Sequence, residues 1–345
     1  MHASLRTVVD AVLAGQDSSA EAMRAAISAV MDGEATEVEI ASLLTALRCQ
    51  GETVSMLVGA ARAMRERATP IPCRSTNLLD TCGPGGDGLG TFNISTAAAL
   101  VAAACGVKVA KHGNRSMTSK SGSADVLEVL GVNLQLTAEQ VGHCIDEVGI
   151  GFCFAPLLHG AMKFAAPVRK QLGFRTIFNL LGPLTNPARA DFQLIGVPKR
   201  DLAEKIARAL CELGTRHAFV VCGNNELDEV SLWGETAVWE ITGKQITEHS
   251  WSASAAGLAE CGPQDLQIVD AASSAAIIQR VIQGEPSPAA NMVIVNAATA
   301  LMAAGRSSNL RDGVDQARKS LASGSVRNLL ARLIEFTKRV SLARN

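Results

Sequence analysis

The stretch Asp80–Leu100, DTCGPGGDGLGTFNISTAAAL, limits what this chain can fold into more than any other. A short apolar run, NLLDTC, leads into the glycines and then into STAAALVAAACG, which reads as a helix closed at Gly106. VKVA follows as a second strand and ends at KHGNRS. Strand, glycine loop, helix and strand form the unit from which parallel sheets are built. Gly83, Gly85 and Gly88 also fit the G-x-G-x-x-G spacing of a dinucleotide-binding loop. In such loops the helix begins inside the glycine motif, and an acid about twenty positions on holds the ribose diol. Here the helix is expected near Ser95, with Asn93 and Ser95 as cap formers, and the later positions hold Lys108 and Lys111. Cations there favour a highly charged phosphate group. Glycine N–H groups, the donors of NIST, a helix N-terminus, Lys111 and Arg115 all suit that ligand. A plain tight turn before a helix is the alternative, and it would not need so many donors.

The first seventy or so residues read as short helices. SSAEAMRAAISAVMDG has Ser18 and Glu21 at capping-box spacing and closes at Gly33; TEVEIASLLTALRCQG repeats the plan with Thr36, Glu39 and Gly51. TVSMLVGAARAMRERA has apolar residues at helical spacing, and TPIPCRS then breaks the pattern with two prolines. This predicts a helical domain over 1–72 and an α/β domain over 73–345. In the latter, helix TAEQVGHCIDEVG precedes strand IGFCFAP, and strand FQLIGV precedes helix DLAEKIARALCELG and strand HAFVVCG. EVSLWGETAVWEITGKQITEHSW reads as hairpins, and helix dominates from DAASSAAIIQRVIQGE onward.

Apolar residues make up 48 % of the 345 and charged residues 19 %, which permits a large core. The net charge of −1 gives no basic field for nucleic acid. The nine cysteines include no C-x-x-C pair and fit a reducing cytosol better than a disulfide framework. Asp10 interrupts the only apolar stretch near the start, which makes a poor signal peptide. No apolar run approaches the roughly 18 residues of a membrane span. A cytoplasmic enzyme with no membrane or nucleic-acid partner is expected. In NNELDEVSLW, Asp228 and Glu229 are neighbouring carboxylates that could hold a hard cation beside a diphosphate. Two solvated loop acids are the competing reading. No H-E-x-x-H or Cys/His ligand spacing points to zinc.

Four long motifs, in order, carry a resemblance: GPGGDGLGTFNIST, KHGNRSMTSKSGSAD, GFRTIFNLLGPLTNP and LDEVS. Over almost its whole length the chain resembles the anthranilate phosphoribosyltransferases of tryptophan biosynthesis. The resemblance implies a small helical domain plus a larger α/β domain with a mainly parallel sheet, as in pyrimidine nucleoside phosphorylases. It implies a homodimer, helices from about 161–183 returning to the small domain, and an active site in the cleft between the domains. It also implies a site for 5-phosphoribosyl 1-diphosphate (PRPP) at Gly83, Gly86, Asp87, Thr91, Asn93, Ile94, Ser95 and Thr96. That site continues through Lys111, His112, Gly113, Asn114, Arg115, Ser116, Met117, Thr118, Ser119 and Ser123. Anthranilate would meet Gly83, Asn114 and Arg169, and two Mg²⁺ ions per chain would meet Ser95, Asp228 and Glu229.

Two positions depart from the family pattern. Pro84 replaces the usual Thr, removing one N–H from a donor loop, and Gly160 replaces the Pro of HPAMK. No residue is expected to act as acid or base: an aromatic amine is neutral at pH 7, so His112 and His159 read as pocket lining. The rival readings are a pyrimidine nucleoside phosphorylase, which would need no metal, and a non-catalytic relative that binds nucleic acid.

Overall fold

The structure, a computed structural model, describes residues 1–116 and 119–342. Met117 and Thr118 lie outside the described residues.

The chain opens with four helices: α1 (Ala3–Leu13), α2 (Ala20–Asp32), α3 (Glu37–Gln50) and α4 (Val54–Arg67). The Thr36–Glu39 capping box forms, the Thr36 N–H donating to Glu39 Oε2 at 2.7 Å. At α2 the cap is Ser19 rather than Ser18. Ser19 stands in extended conformation and accepts from the Ala22 N–H, whereas Ser18 is buried just ahead of it. Gly33 ends α2 at φ +77°.

The sheet strands are β1 (Leu79–Asp80), β2 (Val109–Gly113), β3 (Ile150–Phe154), β4 (Phe192–Gly196), β5 (His217–Gly223), β6 (Thr236–Thr242) and β7 (Gln245–Trp251). Their order is β3-β2-β1-β4-β5-β6-β7. β1 to β5 pair in parallel, and β6 and β7 form a single antiparallel hairpin at one edge. The run EVSLWG before the hairpin is not strand.

Between the strands stand α5 (Ile94–Ala104), α6 (Ser123–Val129), α7 (Ala138–Val148), α8 (Ala155–Leu158), α9 (Ala166–Leu172), α10 (Ile177–Leu181) and α11 (Arg200–Glu212). After the hairpin come α12 (Ala253–Ala256), α13 (Ala271–Ile282), α14 (Pro288–Ala303), α15 (Leu310–Ala322) and α16 (Ser325–Leu342). Parallel strands buried on both faces carry continuous apolar runs. Along β5, Phe219 and Val221 pack with α5 and α14 on one face, while Ala218, Val220 and Cys222 pack with α11 on the other. That second core runs on into α1–α4 and takes in Ala165, Val168, Ile177, Phe178 and Leu181 from the middle of the chain. Among the described residues no helix is long and apolar enough to cross a membrane.

Strand β1 connects to β2 on one side and pairs with β4 on the other, so the winding of the sheet reverses between β1 and β4. The carboxyl ends of strands at such a reversal leave a crevice in which α/β proteins bind ligands. Gly83 follows β1 and Gly196 ends β4.

Candidate active site

The glycine loop leaves β1 and runs over the end of β4. Gly85, Gly86, Gly88 and Gly90 have φ between +66° and +90°, a region that only glycine enters freely. A Cβ on Gly83 would lie 2.6 Å from the Gly196 carbonyl oxygen, and one on Gly196 would lie 1.5 Å from that of Asp228. Loop, strand end and the Asp228–Glu229 turn are therefore stacked backbone on backbone. Beyond the loop, Thr91 bridges to Gln267, and the Phe92 N–H donates to the Leu266 carbonyl at 2.9 Å.

Helix α5 begins at Ile94, one residue before the expected start, and Asn93 gives it no side-chain cap. Asn93 Oδ1 instead accepts from the Ser121 and Ser274 hydroxyls, each at 2.7 Å. The Ser95 N–H donates to Glu229 Oε1 at 2.9 Å, so the positive end of α5 faces a carboxylate. Ile94 points into the core and can offer only its backbone, while the Thr96 hydroxyl is buried without a partner.

Glu229 is buried, and burial pushes its carboxyl up to about 8 against the opposing pull of Lys111 and the Ser95 N–H. Burial also lifts Asp228 well above the usual range, with Asp87 and then Glu229 adding repulsion. Asp87 is raised by burial as well, and its Oδ2 is buried without a hydrogen-bond partner. Three carboxylates thus crowd one corner. The turn that carries two of them is held from below: the Val230 N–H donates to Asn296 Oδ1 at 2.9 Å, and Asn296 Nδ2 donates to the Val230 carbonyl at 3.1 Å.

Lys111 and His112 stand in β2 just before its last residue, Gly113. The buried Lys111 ammonium donates to the Thr81 carbonyl and hydroxyl, both at 3.1 Å. Asp80 is fully buried; its Oδ1 accepts from the His112 N–H at 3.0 Å and its Oδ2 from Asn186 Nδ2 at 2.8 Å. Burial raises Asp80 to about 6. His112 and His159 are buried with ring centroids 5.2 Å apart. Burial lowers His112 to about 4 and His159 to about 3, so both are neutral at pH 7. One ligand atom each from Asp80, Cys82 and His112 lies within 4.8 Å of the others. Both Asp80 oxygens are already taken, and burial raises the Cys82 thiol, so this trio offers no free anionic ligand.

Beyond Gly113 the chain leaves β2 through Asn114 and Ser116, and Ser123 opens α6 with its hydroxyl on the Asn114 carbonyl. Ser116 Oγ bonds to the Ser119 carbonyl and hydroxyl. Arg115 is not a free cation: its fork grips Glu128 at 2.5 and 2.8 Å and Asp125 at 3.1 Å. A different arginine reaches the glycine loop. Arg175 Nη2 donates to the Gly85 carbonyl at 3.4 Å, and its Nη1 lies 2.8 Å from where a Gly86 Cβ would stand. Arg175 falls inside GFRTIFNLLGPLTNP, but nothing in its spacing marks it out from Arg169. Arg169, on α9, lies over the Phe178 ring at 5.5 Å. It has no ion-pair partner among the described residues, and burial lowers its pKa. Sequence reasoning also missed Asn186, Gly196 and Asn296, whose parts are to hold neighbours in place.

Residues 75–327 match the glycosyl transferase family, a/b domain, and residues 6–68 match that family's helical bundle domain. The chain is 49 % identical over 340 residues to the anthranilate phosphoribosyltransferase of Symbiobacterium thermophilum, covering 99 % of this chain and 98 % of the relative. It is similar to the crystal structure of that enzyme from Thermus thermophilus, with a TM-score of 0.90 and 42 % identity over 96 % of this chain and 99 % of the other. It also resembles the Saccharomyces cerevisiae enzyme in complex with PRPP and Mg, with a TM-score of 0.91 and 27 % identity over 98 % and 99 % of the two chains. With a glycine loop, a buried lysine and a carboxylate turn meeting at the sheet's winding reversal, and relatives matched from end to end, the chain belongs to the anthranilate phosphoribosyltransferase family.

Proposed function

We infer that the chain transfers the phosphoribosyl group of PRPP to the amine of anthranilate, giving N-(5-phosphoribosyl)anthranilate and diphosphate in tryptophan biosynthesis. The observation that carries this reading is the stacking of the glycine loop and the Asp228–Glu229 turn on Gly196, with Lys111 and the N-terminus of α5 alongside. The left-handed glycines let backbone N–H groups approach phosphate oxygens. Asn93, Ser95, Lys111 and the described residues of 112–116 and 119–123 extend that wall.

The carboxylate corner fits a divalent cation. Burial raises its three acids, repulsion adds to this at Asp228 and Glu229, and Asp87 Oδ2 lacks a hydrogen-bond partner among the described residues. Asp228, Glu229 and Ser95 would hold Mg²⁺, two ions per chain, with Asp87 close by. Bound there, the metal supplies positive charge beside the departing diphosphate. Lys111 and the loop N–H groups meet the same growing negative charge.

The C1′–oxygen bond to diphosphate breaks as the neutral amine's lone pair forms the new C1′–nitrogen bond, and the nitrogen then releases its surplus proton to water. No base is required before attack, and the low pKa values of His112 and His159 leave both neutral beside the site. Arg169, half-buried and without an ion-pair partner among the described residues, is suited to grip the anthranilate carboxylate with its planar fork. Gly83 and Asn114 complete that subsite. The enzyme works as a cytoplasmic homodimer, with a helical unit over 1–72 joined by 161–183 and an α/β unit over 73–345. Anthranilate fluorescence should fall only when PRPP and Mg²⁺ are both present. A fall without metal, or phosphorolysis of thymidine in its place, would sink this reading.

A further inference from the structure

A cavity of about 400 Å³ lies at the end of the sheet opposite the glycine loop. Its walls come from α4, from residues 186–191 and from the segments that open β4 and β5. Arg62, Arg65, Arg189 and Arg216 line it.

Three acids, Glu66, Asp191 and Glu212, also line it, so the four arginines leave one positive charge in excess. Among the described residues, Arg65 and Arg189 have no ion-pair partner. Arg65 Nε donates to the Leu184 carbonyl at 2.6 Å, and Arg216 Nη1 donates to Asn77 Oδ1 at 2.6 Å. Arg62 reaches the exposed Glu21 at 3.4 Å. Glu66 pairs with Arg24 at 2.8 Å and Arg67 at 3.7 Å, neither of which lines the cavity. Asp191 Oδ2 accepts from the Leu78 N–H at 3.3 Å and keeps its charge, as does Glu212. Burial and the neighbouring Arg189 together lower Arg65 to about 10. Arg189 also holds φ at +50°. Among the described residues the other non-glycine positions at positive φ are asparagines, which tolerate that region better. Arg189 and Arg216 are exposed, so the cavity opens to solvent on their side, and there a strained backbone meets an excess of cations.

We propose that this cavity binds a phosphate-type dianion between Arg65 on α4 and Arg189 and Arg216 beside the sheet. Guanidinium forks match phosphate oxygens in pairs, and a dianion relieves the repulsion between Arg65 and Arg189. The ligand ties the helical segment to the sheet on the side remote from the glycine loop. The cavity wall also reaches the other site, because Asn186 lines it and donates to Asp80, which in turn holds the His112 N–H. The proposal does not depend on the reaction inferred above.

Arginine modification by phenylglyoxal, mapped by peptide mass, tests it on the intact chain. Inorganic phosphate and ribose 5-phosphate are compared with chloride at matched ionic strength. Either phosphate should slow modification of Arg65 and Arg189 together. Stronger protection by ribose 5-phosphate identifies a phosphate ester as the occupant, and equal protection identifies free phosphate. No protection, or protection confined to Arg175 and Arg115, overturns the proposal. Arg189→Gln should raise the phosphate concentration that half-protects Arg65 about tenfold, as loss of one charge-assisted contact implies. Arg189→Lys, which keeps the charge, should fall between the two. Unchanged protection of Arg65 in both variants also overturns the proposal.

Discussion

At Gly196 the absence of a side chain matters more than any side chain nearby. A methyl group there would sit 1.5 Å from the Asp228 carbonyl oxygen, and Gly83 closes on the Gly196 carbonyl from the other side. Gly196→Ala should push the carboxylate turn away and cost about 3 kcal/mol, the upper end of overpacking penalties. The Mg²⁺ concentration for half-maximal activity should rise. A wild-type melting temperature and Mg²⁺ response would show that this contact does not hold the turn. Gly160 is the contrary case. Nothing lies within 4 Å of its missing Cβ. Gly160→Ala should therefore stabilise the fold by about 0.4–1 kcal/mol, by restricting the unfolded chain. A lower melting temperature in differential scanning calorimetry would contradict that. Sequence reasoning finds Asp228 and Glu229 because adjacent acids form a visible motif. It cannot find Gly196 or Asn296, whose roles exist only once distant segments are packed together.

At the scale of elements, the segment from Gly160 to Leu184 sets the limits of prediction. Its prolines and glycines announce helical pieces, and those pieces are present. Which arginine faces which ligand depends on how the pieces turn, and local pattern does not carry that. Arg175 bonds to the glycine loop, while Arg169 lies over Phe178. The two should separate kinetically. Arg169→Ala should raise KM for anthranilate roughly tenfold to a hundredfold, from loss of a charge-assisted contact of about 1.5–3 kcal/mol, with KM for PRPP nearly unchanged. Arg175→Ala should act chiefly on PRPP through the loop. Equal effects of both variants on both substrates would refute the division. The same limit appears at Ser18 and Ser19: capping-box spacing selected the first, and burial of Ser18 left the second to cap α2. It appears again at Arg115, legible as a cation near the loop but spent on Glu128 and Asp125, acids thirteen and ten positions away.

For the whole molecule, the parallel sheet and its helices follow from alternating strand and helix signals, and the winding reversal places the crevice. The sequence does not disclose how deeply that crevice buries ionisable groups, because burial comes from helices far along the chain. The consequence is a stability that responds to pH in opposed ways. Asp80, raised to about 6, and Glu229, raised to about 8, keep their protons longer in the folded state than in the unfolded one. Through them, stability falls as pH rises from the ordinary carboxylate range to those values. His159 works in the other direction. Burial first, and then His112, lower it from 6.5 to about 3, so below pH 6.5 the unfolded chain takes up a proton that the folded chain refuses. Its contribution is fully present above pH 6.5 and is lost as the pH falls toward 3. In His159→Gln that titration is gone while the carboxylates remain, so their effects cancel in the difference between the two proteins. Urea unfolding at pH 7.5 and pH 5 should show the wild-type free energy losing about 2 kcal/mol relative to the variant over that interval. A difference that does not change with pH would mean that His159 is as accessible to protons in the folded chain as in the unfolded one, and that the crevice does not exclude water.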